Sequence, residues 1–384
     1  PINSTQTNCR VDHWEEMELN EFLWLEGEVV KLFRAPRGPD SGFEFYKGLN
    51  GQRRTWFGTS AAAHAKDSPC YIVRPISRGS EIVSTGLPVF HLNYENDDDG
   101  LRQFGTDSRL FFTAPANGEY LARVSDSRGR HGASFIYQLT IREAKPGFKV
   151  TLEGANTTIP AGTGRSFTVK ADRTDGFTGA IRVDLPPAPK GFHITTPLII
   201  QAGHERAHGS IHAADDAPTD KPFKLEGAIT ATAMVAGKKI VQTVKTLGTL
   251  KAGGKTDMFI GLETTATLKV RDATKGDQKF VTNSDALTAL KPLEITIAPG
   301  ETLPMWLAIQ RAGRKGIQKI SIDNLPHGII IDNIGLNGVE IAAESDRREI
   351  FLACARWVPE TDRLIFAANG KLASLPVLLK VRKK

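Results

Sequence analysis

Short apolar runs that alternate with polar positions recur along this chain about every ten residues. Glycine, proline, asparagine and aspartate bound most of them. A period of two is that of a strand with one buried face, and turn residues at this spacing are typical of sandwiches. Helix-period patterns with caps are almost absent, so the pattern predicts an all-β protein. The predicted strands include Phe22 to Leu25, Val29 to Phe33, Tyr71 to Val73, Phe135 to Ile141, Phe148 to Leu152, Ser166 to Lys170, Ala180 to Leu185 and Leu198 to Ile200.

The segment from Asp107 to Asp126 carries the clearest hairpin pattern. An apolar run around Phe111 leads to Asn117-Gly118, and a second run, Tyr120 to Val124, follows. An Asn-Gly pair between two apolar runs is a strong local signal for a tight turn between antiparallel strands. We therefore predict a β-hairpin in this segment.

An acidic loop, Asn96 to Gly100, precedes this hairpin. Together with the apolar strand, the Pro115 to Gly118 turn and the strand that begins at Tyr120, it resembles the bacterial pre-peptidase C-terminal domain, a small β-sandwich appended to secreted proteins. The resemblance covers about residues 18–142, and a glycine- and aromatic-rich insertion at 34–92 departs from it. The resemblance implies an exported accessory module rather than a catalyst.

Two polar, glycine-containing links divide the rest of the chain, at Glu143 to Gly147 and at Lys251 to Lys255. They predict three tandem β-sandwich domains, jelly-roll-like or immunoglobulin-like, over residues 1–145, 146–253 and 254–384. The two later domains carry one order of turns and strands twice. Ile159 to Gly162, Phe167 to Val169, Gly179 to Leu185 and Gly191 to Ile194 correspond to Ile297 to Gly300, Trp306 to Ile309, Gly316 to Ile322 and Gly328 to Ile331. This repeat resembles the immunoglobulin-like modules of large secreted bacterial proteins.

Composition excludes several classes of protein. The 384 residues are 40% hydrophobic and 24% charged, which is typical of globular chains. Lys and Arg number 49 against 43 Asp and Glu, a net charge of +6 without a basic block, so we expect no nucleic-acid partner. No run approaches the ~20 apolar residues of a membrane span. The N-terminus lacks the pattern of a signal peptide, so we expect that one was removed or that this is a piece of a longer chain.

The acidic loop is a candidate calcium site. Calcium prefers several oxygen ligands, and carboxylate and amide groups crowd this loop. The predicted ligands are Asn96, Asp97 and Asp99, with Asp107 reaching back to them. The alternative is a solvated acidic turn, since Asn and Asp are favoured in turns for backbone reasons.

The segment His204 to His208 spells the zinc-protease pattern His-Glu-x-x-His. That pattern works when a helix places both histidines on one face beside the glutamate. Here a strand-like run precedes it, and Gly209 and a strand-like run that contains His212 follow, which predicts a turn. We therefore favour incidental metal capture by exposed His204, His208 and His212 over catalysis, and a zinc hydrolase is left as a third hypothesis that depends on this match alone.

The aromatic insertion offers a second candidate site. Tyr46, Trp56 and Phe57 lie near Arg53 and Arg54, and exposed aromatic faces stack on sugar rings or protein surfaces. Covering a sandwich core beneath a long loop is the alternative role.

The three cysteines, Cys9, Cys70 and Cys354, fit no zinc or redox spacing. A bridge between Cys9 and Cys70 is left open, and Cys354 is expected to be an isolated buried or partly buried thiol.

These observations favour a non-catalytic binding, adhesion or assembly module, located outside the cell, on its surface or in the periplasm. Its expected partner is a protein or a glycan at the cell surface, with self-assembly through sheet edges as a further route. The alternative is an accessory region of a secreted hydrolase, active on peptides or glycans, whose catalytic domain is absent from this sequence.

Overall fold

The computed structural model describes residues 107–383 apart from 115, 127, 220, 274–282 and 333–338. Nearer the N-terminus it describes 8–9, 22–25, 28–34, 43–45 and 71–73, with the single positions 76, 80, 81, 86 and 89. The described part is dominated by antiparallel strands, so the predicted all-β class is confirmed.

The N-terminal strands form a five-stranded antiparallel sheet in the order β1-β4-β3-β2-β5. Strands β2, β3 and β5, numbered in chain order, lie where the apolar runs predicted them. The bounds are β1 Asn8–Cys9, β2 Phe22–Leu25, β3 Glu28–Arg34, β4 Phe43–Phe45 and β5 Tyr71–Val73.

The middle of the chain forms a sandwich of two sheets, which we call the middle sandwich. One sheet has the order β6-β8-β12-β10 and the other β11-β9-β13-β14. Alternate residues such as Phe167 and Val169 on β8 and Ile181 and Val183 on β9 are buried in one apolar core between the sheets. The bounds are β6 Gly147–Glu153, β7 Thr158–Ile159, β8 Thr163–Thr174, β9 Ile181–Asp184, β10 Phe192–Ile194, β11 Leu198–Ile200, β12 Arg206–Ala213, β13 Ile229–Val235, β14 Lys238–Val244 and β15 Lys251–Ala252.

A second sandwich, the C-terminal sandwich, follows with its own apolar core. Its sheets have the orders β16-β18-β22-β20 and β21-β19-β23-β25-β17. The strand bounds are β16 Met258–Glu263, β17 Leu293–Ile297, β18 Thr302–Arg311, β19 Gln318–Asp323, β20 Ile329–Ile331, β21 Val339–Ile341, β22 Arg347–Cys354, β23 Thr361–Asn369, β24 Leu372–Ala373 and β25 Val377–Val381, with helices α1 Thr265–Ala273 and α2 Ser284–Thr288.

The predicted repeat is confirmed at the level of topology. The pairings β6-β8-β12-β10 and β11-β9-β13 return as β16-β18-β22-β20 and β21-β19-β23, and each copy adds one parallel pair, β7 with β15 and β17 with β25. Corresponding turns need left-handed glycines: Gly162 and Gly300 have φ of 72° and 86°, and Gly191 and Gly328 have φ of 87° and 93°. Glycine adopts this conformation without a steric penalty, so the same turn recurs in both copies.

The hairpin predicted at 107–126 and the strand predicted at 135–141 are wrong for the structure, which assigns no strand to the described residues between 107 and 146. A strand needs a neighbour for its backbone groups and a cover for its apolar face. Among the described residues no strand pairs with this segment, Leu121 and Ile136 are 100% and 92% exposed, and the backbone forms local turns such as that from Gly129 N to Asp126 O.

Two smaller expectations concern cysteine and the membrane. Cys354 is a buried free thiol, as predicted, and burial raises its pKa to about 11. Cys70 lies outside the described residues, so its bridge to Cys9 stays a prediction. Among the described helices, none is long and apolar enough to cross a membrane.

Candidate functional site: the junction between two sandwiches

The predicted ligand sites fall largely outside the described residues. Asn96, Asp97 and Asp99 of the acidic loop, and Tyr46, Trp56 and Phe57 of the insertion, are all in that position, so both sites stay predictions. Asp107 is described and lies exposed in a bend. Within the described residues, no three His, Cys, Asp or Glu side chains are grouped closely enough to hold a metal ion.

The His-Glu-x-x-His segment is a turn followed by a strand, as predicted, and not a helix. His204 closes the turn after β11, whereas His208 is the third residue of β12. The expectation that these histidines are exposed is wrong for two of them, since His204 is 3% exposed and His212 is fully buried. The C-terminal sandwich covers both, and its covering residues are more than 100 positions away in the sequence.

The turn before β12 is held in shape by Arg173. Its guanidinium donates from Nε to His204 O (2.9 Å), from Nη1 to Gly179 O (2.6 Å) and from Nη2 to Gln201 O (3.0 Å). Burial lowers the pKa of Arg173 to about 10, against the opposing charge of Glu205. The guanidinium therefore stays charged at neutral pH and fixes where Gln201 and His204 meet the C-terminal sandwich.

Two side-chain amides bridge the sandwiches in the way that backbone groups pair within a sheet. Gln201 donates to Leu325 O (2.9 Å) and accepts from His327 N (2.7 Å). Asn324 donates to His208 O (2.6 Å) and accepts from His208 N (2.8 Å), and it also donates to Leu364 O (3.2 Å). Each amide therefore satisfies backbone groups of the opposite sandwich, which fixes the register between them.

Strand β24 makes the two sandwiches share one sheet. It pairs with β23 in its own sandwich and with β8 in the other, through Leu372 opposite Arg165 and Ala373 opposite Gly164. The result is a continuous ten-stranded sheet that runs through both units. Ser166 N extends this pairing with a bond to Lys371 O (2.9 Å).

His212 lies beneath this shared strand. Its Nε2 donates to Ser374 O (2.9 Å), because a carbonyl can only accept, so Nδ1 is left as an acceptor, and it finds no partner among the described residues. Its ring lies where a Cβ of Gly164 would be, so only glycine fits there. Burial lowers the pKa of His212 to about 3, with a further decrease from His193; the bond to Ser374 opposes this.

His204 is held by aromatic and cationic neighbours. Its ring packs edge-to-face on His327, with centroids 5.2 Å apart, and Trp357 lies on the far side of His327. Burial, followed by the nearby charges of His327, Arg173 and Arg363, lowers the pKa of His204 to about 3. Its Nε2 has no hydrogen-bond partner within the part of the chain that the structure describes.

The chemistry of this arrangement is that of a joint. His204 and His208 point to different surroundings, since His208 Nδ1 lies 3.2 Å from Thr168 Oγ1 on the neighbouring strand. Two guanidinium groups beside His204 oppose a divalent cation. The motif residues His204 and His208 instead lie in contact with the C-terminal sandwich.

A different kind of joint is centred on Asp175, in the turn that follows β8. This buried carboxylate accepts bonds from Arg109 (2.6 Å), from both Nη atoms of Arg142 (2.6 and 2.9 Å) and from Lys145 N (2.8 Å). The bond from Arg142, followed by that from Lys145, holds the pKa of Asp175 far below its usual value. We call this group the Asp175 clamp; it fastens both ends of the 109–145 segment to the middle sandwich.

A cleft of about 510 Å³ opens between β16 and the β17–β25 pair, with α1 at its side. Its walls are mainly aliphatic, with Glu263 and Lys291 as the charged residues of the lining. None of the junction histidines belongs to it. The cleft and the histidine junction are therefore separate features.

Sequence reasoning found His204, His208 and His212 but missed Gln201, Asn324 and His327. The only local signal was the turn-like Asn324-Leu325-Pro326-His327-Gly328, which enters β20 as Gly191 enters β10 in the first copy. A turn signal does not say which distant strand the turn will touch.

Comparisons with known proteins add no family. No family model matches the chain, and no curated protein matches it in sequence. Among solved structures it is similar to a protein of unknown function from Porphyromonas gingivalis W83, at 14% identity and a TM-score of 0.20, over 61% of this chain and 99% of that chain.

Two further similar structures are fibronectin(III)-like modules of Clostridium thermocellum CbhA and domains 4–9 of the surface layer protein SbsC. The first has 12% identity and a TM-score of 0.17, over 62% of this chain and 94% of that chain. The second has 12% identity and a TM-score of 0.23, over 96% of this chain and 48% of that chain. At these scores the fold assignment rests on the strands and cores of the chain itself.

Proposed function

We propose that this chain is a non-catalytic, exported module that holds two β-sandwiches in a fixed relative orientation and presents their loops and edges to a partner. The observation that carries this proposal is the shared sheet, in which β24 pairs with β8 across the junction. Two sandwiches that moved independently of each other would not share one hydrogen-bonded sheet.

The polar contacts of the junction support the same role. The side chains of Gln201 and Asn324 form hydrogen bonds with backbone groups of the opposite sandwich. The histidines of the protease-like pattern are packed between the two units. Half-buried amides that bond to backbone groups favour one arrangement, because any other leaves those groups without these partners.

The finer parts of the proposal rest on sequence. Residues of about 18–142 resemble the pre-peptidase C-terminal domain, which favours a cell-surface, secreted or periplasmic location. The partner is proposed to be a surface protein or glycan, contacted by Tyr46, Trp56 and Phe57. Comparing Trp56→Ala with the wild type on a glycan array and in pull-downs from cell envelopes tests that contact; equal binding by both would remove it.

Small-angle scattering of the full chain at pH 7.5 tests the fixed orientation. We expect the scattering curve to fit one arrangement of the two sandwiches, and Gln201→Ala combined with Asn324→Ala to need a broader set of orientations. A wild-type curve that itself requires many orientations would overturn the proposal.

Elemental analysis of untagged protein tests the non-catalytic part. Tightly bound zinc near one equivalent, together with a hydrolytic activity that Glu205→Ala abolishes, would replace the proposal with a zinc hydrolase. Calcium near one equivalent that Asp97→Ala and Asp99→Ala remove would instead support the acidic loop as a site within the same binding module.

A further inference from the structure

The histidines of the described chain are concentrated at one place. All of them except His131 lie at the junction or beside it, on β10, on β12 and its preceding turn, and before β20. A surface built only for stiffness has no need of imidazoles there. Histidine is the side chain whose charge changes most readily between pH 5 and 8.

The groups around His204 stabilise its neutral imidazole relative to the protonated one. The groups that face it are His327 from the turn before β20, Arg173 from β8 and Arg363 from β23, and the adjacent Glu205 is directed to the charge of Arg173. Its Nε2 meets no acceptor among the described residues. A proton there would add a third cation to two guanidinium groups in a buried space.

His212 has a similar environment at the other end of the junction. It faces His193 from β10 (ring centroids 6.2 Å apart), the Ser374 carbonyl from the end of β24, and the bare backbone of Gly164 on β8. Within the described residues no carboxylate is a cause of its shifted pKa, so a second proton on Nδ1 would be buried without a counter-charge.

His208 and Asp323 are further titratable groups near the junction. His208 lies against Thr168 and close to Asp323 of β19, whose pKa is raised chiefly by burial and lowered by His208 and Ser321. His208 therefore lies beside a carboxylate, whereas His204 lies beside two guanidinium groups. His204 and His212 are therefore the two groups that separate a closed junction from an open one.

The junction is also the weaker part of the assembly. The ladder between β8 and β24 spans two residue pairs, and the separate apolar cluster on β23 and β24 holds three buried residues, Phe366, Ala368 and Ala373, whereas each sandwich has its own far larger apolar core. Local opening requires less free energy than global unfolding where fewer apolar contacts are buried.

We infer that this junction is an acid-operated hinge, in which protonation of His204 and His212 parts the two sandwiches while both cores stay folded. The inference rests on the fixed orientation proposed above. In the open state both imidazoles reach water and take up protons with an ordinary pKa near 6.5. Two protons are then bound on opening, so the opening constant rises by up to about 100-fold for each unit that the pH falls between about 6 and 4.

Hydrogen exchange of the full chain from pH 7.5 to pH 4, corrected for intrinsic rates, measures this directly. The reporters are amides that donate across the junction, Ser166 N, His208 N and His327 N, with amides of β18 and β22 as the core reference. We expect the reporters to lose protection in acid while the core reference keeps it. Scattering should show a larger radius of gyration over the same pH range.

Replacement of both histidines identifies the groups responsible. His204→Gln combined with His212→Gln should make reporter protection independent of pH, and the exposed His131→Gln should behave as the wild type. If the double variant does not fold, the imidazole signals of the wild type decide by NMR: both rings must stay neutral until the reporters open.

Each other outcome counts against a specific claim. Unprotected reporters at pH 7.5 contradict the fixed orientation itself. Reporters that stay protected to pH 4, that open only together with the core reference, or that open in acid in the double glutamine variant, contradict the hinge and leave the fixed orientation intact.

Discussion

The middle sandwich has two joints, and they are built by different physics. Toward the C-terminal sandwich it shares a sheet, and its contacts include two buried histidine rings and two half-buried amides that bond to backbone groups. Toward the 109–145 segment it offers the Asp175 clamp, a set of ion pairs, and this segment carries exposed apolar side chains such as Leu121 and Ile136. The stability of the first joint depends on close packing, whereas that of the second depends on the charge of one carboxylate.

This difference predicts how each joint fails. A close-packed joint is sensitive to a single added methyl group, because packed interiors transmit strain. An ionic joint tolerates volume but not the loss of its carboxylate. The predictions below exploit this contrast, from the largest expected effect to the smallest.

The largest effect is expected for Gly164→Ala in the junction. The new Cβ would overlap the His212 ring and lie 2.7 Å from Ala373 O, so β24 must move away from β8. We expect a loss of about 3 kcal/mol in the free energy of unfolding, measured by urea denaturation. Gly118→Ala makes the same change in open space on the 109–145 segment and should be nearly neutral; equal effects would remove the contrast between the joints.

Asn324→Ala should cost about 2 kcal/mol, because it leaves the N–H and C=O of His208 without partners in the junction. Asn324 has φ of 67°, a conformation that alanine tolerates poorly and glycine tolerates well. Asn324→Gly therefore separates lost hydrogen bonds from strain and should cost less. If Asn324→Gly were as stable as the wild type in thermal denaturation, the amide bridge would contribute nothing.

Asp175→Asn should release the 109–145 segment with little change in the melting of the two cores. Loss of charged hydrogen bonds worth about 1–2 kcal/mol should speed tryptic cleavage within the segment by about 5- to 30-fold. Asp184→Asn breaks the exposed pair with Arg182 instead and serves as the control. Unchanged cleavage in Asp175→Asn would show that other contacts hold the segment.

The two joints should also lose their stabilisation over different ranges of pH. Asp175 has a folded pKa below its usual value, so its stabilisation is present above about pH 4 and is lost as the pH falls below that. His204 and His212 have folded pKa values of about 3 against an ordinary 6.5, so their stabilisation is full above pH 6.5 and is lost as the pH falls toward 3. Proteolysis and hydrogen exchange along one pH series should therefore show the junction opening first.

The contrast also shows which predictions succeeded. Alternation at Ser166 to Lys170 and the apolar run at Leu198 to Ile200 predicted strands that the structure contains, because neighbouring strands and a core cover them. The same kind of alternation at 135–141 predicted a strand that the structure lacks. A pattern states which face a strand would bury, but not whether a partner strand arrives to bury it.

For the candidate site, sequence supplied His204, His208 and His212 and the prediction that their segment is a turn and a strand and not a helix, but not the burial of His204 and His212. His212 is buried because Ser374, 162 positions later, brings its carbonyl within 2.9 Å. No local signal at either residue encodes that meeting. The acidic loop with Asp97 and Asp99 remains a sequence prediction.

By itself, the sequence determined the all-β class, the repeated strand order of the two sandwiches and the turns that glycine makes possible at Gly162 and Gly300. Those features follow from local rules, the period of two and the steric freedom of one residue type. Only the tertiary structure decided that β24 pairs with β8 and that Asn324 forms hydrogen bonds with the backbone of His208. It also decided that His204 of the protease-like pattern is buried at the junction. These outcomes depend on which distant surfaces meet, and burial, unlike periodicity, is a property of the pair and not of either segment.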